Sequence, residues 1–230
     1  MTRAQRLALE NYWGAFGIDP ECGLLDLDAE FGGSGPVVLE IGSGMGRTTA
    51  AMARRHPENH YLAVEVHRPG VGALLRQIHD LGLSNIRVIM QDATEALRRQ
   101  IPSRSLDEVY ILFPDPWPKK RHHKRRLINT EFLDLLTSRM KDNARLFLAT
   151  DSIELAGHML EVCDAHPALM NLAAPGNFAP AVSRRGETKF EQRGRRLRHE
   201  IRDLIYAPAG PSSREKQVTA GNSHTSRGGR

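Results

Sequence analysis

One segment in the middle of the chain combines an acid, an indole ring and a dense run of positive charge. Residues 113–126 have the sequence FPDPWPKKRHHKRR. The prolines on either side of Asp115 fix their own φ at about −65° and bias the residue before each toward extended backbone, so an open, non-helical turn is predicted. A rigid acid beside the flat ring of Trp117 and phosphate-binding charge indicates chemistry on a nucleobase. An exposed loop leading into a solvated basic helix is the alternative.

The composition is that of a globular protein with an excess of positive charge. The chain has 230 residues, 40% of them hydrophobic and 26% charged, and a formal net charge of +5. A basic balance of this kind favours polyanionic partners. The charge is concentrated at 119–126, 184–185 and 193–198, and this clustering supports a nucleic-acid partner more strongly than the total does.

The sequence shows no sign of export, membrane insertion or metal binding. Cys22 and Cys163 are far apart and have no metal-ligand spacing, so two idle thiols in a reducing compartment are predicted. No apolar run approaches the roughly 20 residues that span a bilayer, and residues 1–10 lack the apolar centre of a signal peptide. We therefore expect a cytoplasmic protein with no membrane contact and no metal. No protein partner is evident, and a monomer is expected.

The elements that must position Asp115 follow an alternating pattern that begins at Val37. Apolar strands are predicted at 37–41, 61–66, 86–90, 106–113 and 145–150, and helices at 48–55, 71–81, 95–99, 130–139 and 153–166. Continuous apolar strands that alternate with helices indicate a parallel sheet covered on both faces. A last strand ending at 204–206 is predicted to close the sheet as part of an antiparallel hairpin.

The chain divides into three predicted regions. Residues 1–35 form an N-terminal arm with an amphipathic helix over 3–16, and a glycine-rich stretch at 31–36 marks its boundary. Residues 36–206 form the α/β domain. Residues 207–230 are a basic tail rich in Ser, Gly and Thr that is predicted to be disordered.

A glycine-rich turn follows the first predicted strand. Gly42, Gly44 and Gly46 let the backbone approach a ligand and turn sharply into the next helix. The dinucleotide fingerprint requires its third glycine at the position of Arg47, so this turn departs from it. Glu40 would repel a pyrophosphate. A carboxylate here suits a ligand with cationic groups, such as the ammonium and sulfonium groups of S-adenosylmethionine.

Acids also follow the second and third predicted strands. Glu65 lies about 20 residues beyond the glycine turn, where a ribose-binding acid is expected. Asp92 is placed to receive an adenine amino group, although it could instead cap the following helix. Because ligands bind at the carboxyl ends of strands in open α/β sheets, the two acids and the glycine turn together predict a nucleoside-type cofactor site.

These motifs resemble those of a known family. The glycine turn followed by an acid at the end of the second strand is similar to class I S-adenosylmethionine-dependent methyltransferases. More narrowly, residues 64–72 (VEVHRPGVG), 113–126 and 188–194 (TKFEQRG) resemble bacterial tRNA (guanine-N7-)-methyltransferases. The resemblance extends to Tyr206. It implies a Rossmann-like, three-layer α/β sandwich with a seven-stranded, mostly parallel sheet and an antiparallel last strand.

The resemblance also implies a reaction and the residues that perform it. The expected reaction transfers a methyl group from S-adenosylmethionine to N7 of guanine 46 in the tRNA variable loop. The implied cofactor-binding residues are Glu40, Gly42, Gly44, Gly46, Glu65, Asp92 and Asp115, with Asp115 also catalytic. The implied substrate-binding residues are Lys119, Asp151, Thr188, Lys189, Phe190 and Glu191.

The chemistry of guanine N7 suggests what these groups do. N7 carries an in-plane lone pair and no proton, so positioning replaces general-base catalysis. Asp115 is predicted to stabilise the developing positive charge or to accept hydrogen bonds from guanine. Asp151 either shares that recognition or caps a helix with Glu154 as its capping-box partner. The predicted phosphate contacts are Lys120, Arg121, Lys124, Arg125 and Arg126.

Three other functions fit parts of the sequence. The turn at Asp115 is similar to that of enzymes that methylate exocyclic base amino groups, but its second proline is absent. An NAD(P)-dependent oxidoreductase would use Glu65 on the ribose, but the glycine spacing and Glu40 oppose it. An RNA-binding protein without catalysis would not need the complete set of cofactor-site acids.

Overall fold

The computed structural model describes residues 1–180 and 200–210. Within them the strands are β1 (Gly17–Ile18), β2 (Val37–Ile41), β3 (His60–Val64), β4 (Ile86–Ile89), β5 (Leu106–Leu112), β6 (Met140–Thr150), β7 (Leu169–Asn171) and β8 (Arg202–Pro208). The helices are α1 (Arg3–Phe16), α2 (Leu27–Phe31), α3 (Arg47–Arg55), α4 (Arg68–Asp80), α5 (Ala93–Arg99), α6 (Thr130–Arg139) and α7 (Ile153–Asp164), and a 3₁₀ helix spans Lys120–Arg125.

All the described strands belong to one sheet in the order β1-β4-β3-β2-β5-β6-β8-β7. Every neighbouring pair is parallel except those that involve β8, which is antiparallel to both β6 and β7. The predicted α/β sandwich with an antiparallel last strand is therefore confirmed. The strand order reverses direction between β2 and β5, because the chain moves outward from β2 through β3 to β4 and then returns to the other side.

The described sheet has eight strands, so the predicted number of seven was wrong. The additional strand is β1, whose two residues pair in parallel with Val88 and Ile89 of β4. The predicted N-terminal arm thus contributes a strand to the same sheet. At the other end, β8 continues to Pro208, and the N–H of Ala209 donates to the carbonyl of Ala168 at 2.8 Å. Residues 207–209 therefore pack with the domain, whereas 211–230 lie outside the described residues.

The central strands are buried because helices cover both faces of the sheet. All five residues of β2 are buried, and their side chains alternate between the faces. Leu39 and Ile41 belong to the core that also includes Leu97 of α5 and Phe132 of α6. Val38 belongs to the other core, under α1, α3 and α4. Such two-sided burial explains why the strands read as continuous apolar runs.

Helix α4 is glycine-rich at its start because another element approaches it closely. Gly72 is fully inside the α1–α4 contact, and a Cβ at this position would overlap the carbonyl oxygen of Gln5 in α1. Helix α1 is itself fixed by a capping box, in which Thr2 Oγ1 accepts from the N–H of Gln5 at 3.3 Å and Gln5 Oε1 accepts from the N–H of Thr2 at 2.7 Å. The predicted helix at 71–81 begins earlier, at Arg68, with Pro69 in its first turn.

No helix among residues 1–180 and 200–210 has the length and apolar character needed to cross a membrane.

The close α1–α4 contact predicts a stability effect at Gly72. We expect Gly72→Ala to destabilise the fold by about 1–3 kcal/mol, because the added methyl forces α1 away from α4. Gly157→Ala in α7 is the matched control, since a Cβ there meets no atom within 4 Å and alanine is the better helix former. Thermal unfolding followed by circular dichroism measures both. Equal melting temperatures for the two variants would contradict the packing argument.

Candidate active site

The glycine turn lies at the carboxyl end of β2 and leads into α3. Gly42, Gly44 and Gly46 have φ values of 76°, 55° and 74°, a left-handed region that other residues enter only with strain. The N–H of Gly42 donates to the carbonyl of Val64 in β3 at 2.8 Å. A Cβ on Gly42 would meet no atom within 4 Å, so the turn borders open space from which a ligand can approach the backbone.

Glu65 joins this turn to the turn that follows β3. Its Oε2 accepts from the N–H of Gly44 and its Oε1 accepts from the N–H of His67, both at 2.7 Å. The residue is 8% exposed. A carboxylate oxygen accepts more than one hydrogen bond, so Glu65 retains capacity for the two hydroxyls of a ribose.

Gly70 explains part of the 64–72 motif. A Cβ at this position would overlap the carbonyl oxygen of Gly44 and would lie 3.5 Å from Cγ of Glu65. The first turn of α4 therefore packs directly against the glycine turn and its carboxylate. Only glycine permits that approach, and the position is thus coupled to the candidate cofactor site.

Glu40 is buried behind the glycine turn, at 3% exposure. Its Oε2 accepts a hydrogen bond from the hydroxyl of Thr49, which lies in the first turns of α3 and is fully buried. Thr49 is not among the site residues predicted from the sequence. Its spacing from Met52 and Ala53 places it on the inward face of α3, and a hydroxyl on an apolar helix face is the signal that could have found it.

Asp92 caps the helix that follows β4. Its Oδ1 accepts from the N–H groups of Thr94 at 2.8 Å and Glu95 at 3.3 Å. The capping role considered from the sequence is therefore confirmed. The adenine contact stays a prediction, and Oδ2 takes part in neither capping bond.

The Asp115 turn begins where β5 ends and has a strained backbone. Phe113 and Trp117 have φ values of 53° and 43°, which cost on the order of 1–3 kcal/mol each for non-glycine residues. The N–H of Phe113 donates to the carbonyl of Ala149 in β6 at 2.7 Å, which fixes the start of the turn. Asp115 itself is exposed.

Asp151 follows β6 but does not cap α7. The cap is Ser152, whose Oγ accepts from the N–H of Leu155 at 3.3 Å. Glu154, the partner in the predicted capping box, instead accepts a hydrogen bond from Arg126. The capping interpretation of Asp151 was therefore wrong, and its contact with substrate stays a prediction.

These acids lie in a row along one edge of the sheet. Because β4, β3, β2, β5 and β6 are consecutive neighbours, the groups that follow them occur in the same spatial order: Asp92, Glu65, the glycine turn with Glu40, Asp115 and Asp151. Four strand spacings of about 4.8 Å give a row of roughly 19 Å. The glycine turn and Asp115 flank the point where the strand order reverses, which is where open α/β sheets bind ligands.

The basic run forms an exposed 3₁₀ helix beside this row. Lys119, Lys120, Arg121, Lys124 and Arg125 are exposed. The guanidinium of Arg125 lies 4.9 Å from the ring centroid of Trp117, and the ring of His122 meets the same indole edge-on at 5.7 Å. Trp117 is half-buried under these side chains, so the helix folds back over the Asp115 turn.

Arg126 differs from the rest of the run, and its burial argues against the phosphate contact predicted for it. Its side chain is 3% exposed and already paired within the protein. A buried, paired guanidinium does not face the surface that RNA phosphates reach. The predicted substrate residues Thr188, Lys189, Phe190 and Glu191 lie outside the described residues.

The donor set of the row fits S-adenosylmethionine. Carboxylates suit the ribose hydroxyls and the ammonium group, and the open side of the glycine turn admits a close ligand. Among the described residues no group of three or more His, Cys, Asp or Glu side chains could hold a metal ion. The site therefore has the character of a nucleoside-cofactor site bordered by positive charge.

Comparison with solved structures identifies the class of fold. An rRNA methylase from Streptococcus thermophilus aligns with 91% of this chain and 99% of its own, at a TM-score of 0.52 and 11% sequence identity. The family model described as "Putative methyltransferase" matches residues 34–204. The chain is an S-adenosylmethionine-dependent methyltransferase of the Rossmann-like class.

Comparison with curated proteins narrows the class. A tRNA (guanine-N(7)-)-methyltransferase of Neisseria meningitidis is 50% identical over 210 residues, 91% of this chain and 87% of that protein. One from Nitrosospira multiformis is 50% identical over 206 residues, 90% and 89% of the respective chains. The chain belongs to the tRNA (guanine-N(7)-)-methyltransferase family.

The position of Glu65, hydrogen-bonded to the turns after β2 and β3, leads to a prediction about cofactor affinity. We expect Glu65→Gln to weaken S-adenosylmethionine binding roughly 10- to 100-fold. The amide replaces one acceptor oxygen with an NH₂ group and removes the negative charge that strengthens the remaining hydrogen bonds. Glu131→Gln on the exposed face of α6 is the control. Isothermal titration calorimetry of both variants measures the effect, and wild-type affinity in Glu65→Gln would remove Glu65 from the site.

Proposed function

We propose that this protein transfers the methyl group of S-adenosylmethionine to N7 of guanine 46 in the variable loop of tRNA. The observation that carries the proposal is the place of Asp115, between the glycine turn on one side and the exposed basic 3₁₀ helix on the other. The relatives' names supply the modified atom and the RNA class. Guanine 46 follows from the family resemblance.

The chemistry requires little beyond position and charge. The cofactor supplies an electrophilic methyl group on a sulfonium. Because guanine N7 has no proton to remove, Asp115 acts without abstracting one: it holds the guanine in line and stabilises the positive charge that develops on the ring. Asp151, one strand further along the row, accepts hydrogen bonds from the base edge.

The exposed cations hold the RNA. Lys119, Lys120, Arg121, Lys124 and Arg125 contact phosphates next to the modified loop, which gives affinity that falls with salt. Thr188, Lys189, Phe190 and Glu191 are proposed as further substrate contacts from the family resemblance alone. We also propose that the protein acts as a cytoplasmic monomer, and sedimentation at working concentration tests the monomer.

Product analysis tests the reaction directly. An unmodified tRNA transcript is incubated with the protein and S-adenosylmethionine. Part of the product is digested to nucleosides, which are identified by mass spectrometry. In the rest, the modified position is mapped by aniline cleavage of the chain at 7-methylguanosine. We expect cleavage at guanine 46, and none in a transcript with adenine there. An N6-methyladenine product would instead identify an exocyclic-amine methyltransferase.

The role of Asp115 predicts a selective loss of turnover. We expect Asp115→Ala to lower kcat by about 10²- to 10³-fold, since it removes a preorganised charge at the reacting ring, while the tRNA Kd stays near the wild-type value. Asp142→Ala is the control, because Asp142 is exposed and pairs with Arg104 away from the row. Single-turnover kinetics and filter binding measure the two effects. Unchanged turnover in Asp115→Ala would contradict the assignment.

The phosphate role of the basic run predicts a change in salt dependence. We expect Lys119→Ala combined with Arg121→Ala to weaken tRNA binding and to reduce the slope of log K against log[salt] by roughly 0.7–0.9 per lost contact. The control is Arg98→Ala combined with Arg104→Ala. It removes the same amount of positive charge, but from residues that pair with Glu95 and Asp142. An identical slope in both double variants would refute direct phosphate contacts.

A further inference from the structure

The side chain of Arg126 connects two parts of the candidate active site. Its Nε donates to the carbonyl of Pro116 at 3.1 Å, and its Nη2 donates to Oε1 of Glu154 at 2.8 Å. Pro116 directly follows Asp115 in the turn, and Glu154 lies in the first turn of α7. One guanidinium therefore bridges the Asp115 turn and the helix that begins just after Asp151.

Arg126 is buried, so its hydrogen bonds are made within the protein. A charged side chain at 3% exposure depends on hydrogen-bond partners within the protein. One partner, Pro116, directly follows Asp115, and the other, Glu154, lies three residues after Asp151. The planar, forked geometry of arginine lets it reach a backbone carbonyl and a carboxylate at once. The ammonium of lysine has three donors on a flexible stem, but it lacks this planar fork.

The Asp115 turn needs an external constraint. Trp117 has a φ of 43°, a conformation that persists only where the surroundings hold it. Arg126 holds the carbonyl of the peptide between Pro116 and Trp117, and Arg125 covers the indole ring. Because the strained peptide lies just after Asp115, the bond from Arg126 limits where the carboxylate can stand.

The contact with Arg126 also affects the charge state of Glu154. The hydrogen bond from Arg126 keeps the pKa of Glu154 below its usual range, so the carboxylate is charged when it holds Arg126. His123 Nε2 also lies 3.0 Å from Glu154 Oε1. His123 and Arg126, both from the basic run, thus lie close to one carboxylate of α7.

We propose that Arg126 is a positioning residue for methyl transfer, which fixes the Asp115 turn against α7 so that Asp115 and Asp151 keep their separation. This inference rests on the proposed function for the roles of the two acids. At 3% exposure, the side chain of Arg126 is not placed on the surface that RNA phosphates would meet. Its place in the sequence groups Arg126 with the phosphate-binding cations, whereas its contacts with Pro116 and Glu154 assign it to the geometry of the reacting centre.

The experiment separates positioning from phosphate binding. Arg126→Lys, Arg126→Ala and Glu154→Gln are compared by kcat, tRNA Kd, the salt slope of binding and S-adenosylmethionine affinity. We expect kcat to fall roughly 10- to 100-fold in both Arg126 variants, with the tRNA Kd, the salt slope and cofactor affinity close to wild type. Glu154→Gln is expected to show a smaller loss of kcat. Its effect and that of Arg126→Lys are expected to be non-additive in the double variant.

Arg139→Lys is the matched control for loss of a structural arginine. Arg139 Nε donates to the carbonyl of Leu97 and its Nη1 to Ser103 Oγ, both at 2.8 Å, away from the acidic row. We expect its melting temperature to fall while kcat is retained. Should Arg126→Ala fail to fold, Arg126→Lys and Glu154→Gln still decide the question.

Two outcomes would overturn the inference. A lower salt slope with unchanged kcat in the Arg126 variants would make Arg126 a phosphate contact. Wild-type kcat in both Arg126→Lys and Glu154→Gln would make the bridge merely structural. Turnover is measured on whichever methylated nucleoside the wild type forms, so a product other than 7-methylguanosine at position 46 would contradict the proposed function without deciding the role of Arg126.

Discussion

The reversal of strand order between β2 and β5 is the constraint on which the site depends. The loops that follow the strands on either side of that point run in opposite directions, so a crevice forms between them at the carboxyl edge of the sheet. The crevice therefore needs no cavity within the core. The glycine turn borders one side and the Asp115 turn the other. The row of acids is thus a consequence of parallel pairing: each strand ends at the same edge, and each contributes the residue that follows it.

Within that edge, the loops are fixed to one another by hydrogen bonds between backbone and carboxylate. Glu65 accepts N–H groups from the turns after β2 and β3, and Gly70 lets α4 press against the same turn. A ligand that binds Glu65 therefore meets a carboxylate whose orientation is already determined, which lowers the entropic cost of binding. Glu65, the proposed ribose-binding residue, also holds the fold at this edge, and on that proposal stability and affinity are coupled there.

How far the sequence predicts this arrangement depends on how local the signal is. β2 to β6 were predictable because two-sided burial makes each a continuous apolar run, and the acids at their ends followed from that. β1 has two residues and pairs only through its contact with β4, so no periodicity marks it. The N-cap of α7 is Ser152, one residue after the predicted Asp151. Because Asp and Ser are both favoured at N-cap positions, residue preference alone cannot choose between them.

Arg126 shows the limit most clearly. It ends a run of cations that are equivalent in sequence, yet it alone among residues 119–126 is buried. Its partners lie ten residues before it and 28 residues after it, a separation at which residue type carries no local pattern. The carbonyl of Pro116, next to the left-handed Trp117, needs a donor, and the fold brings Arg126 to it although Arg121 and Arg125 are nearer along the chain.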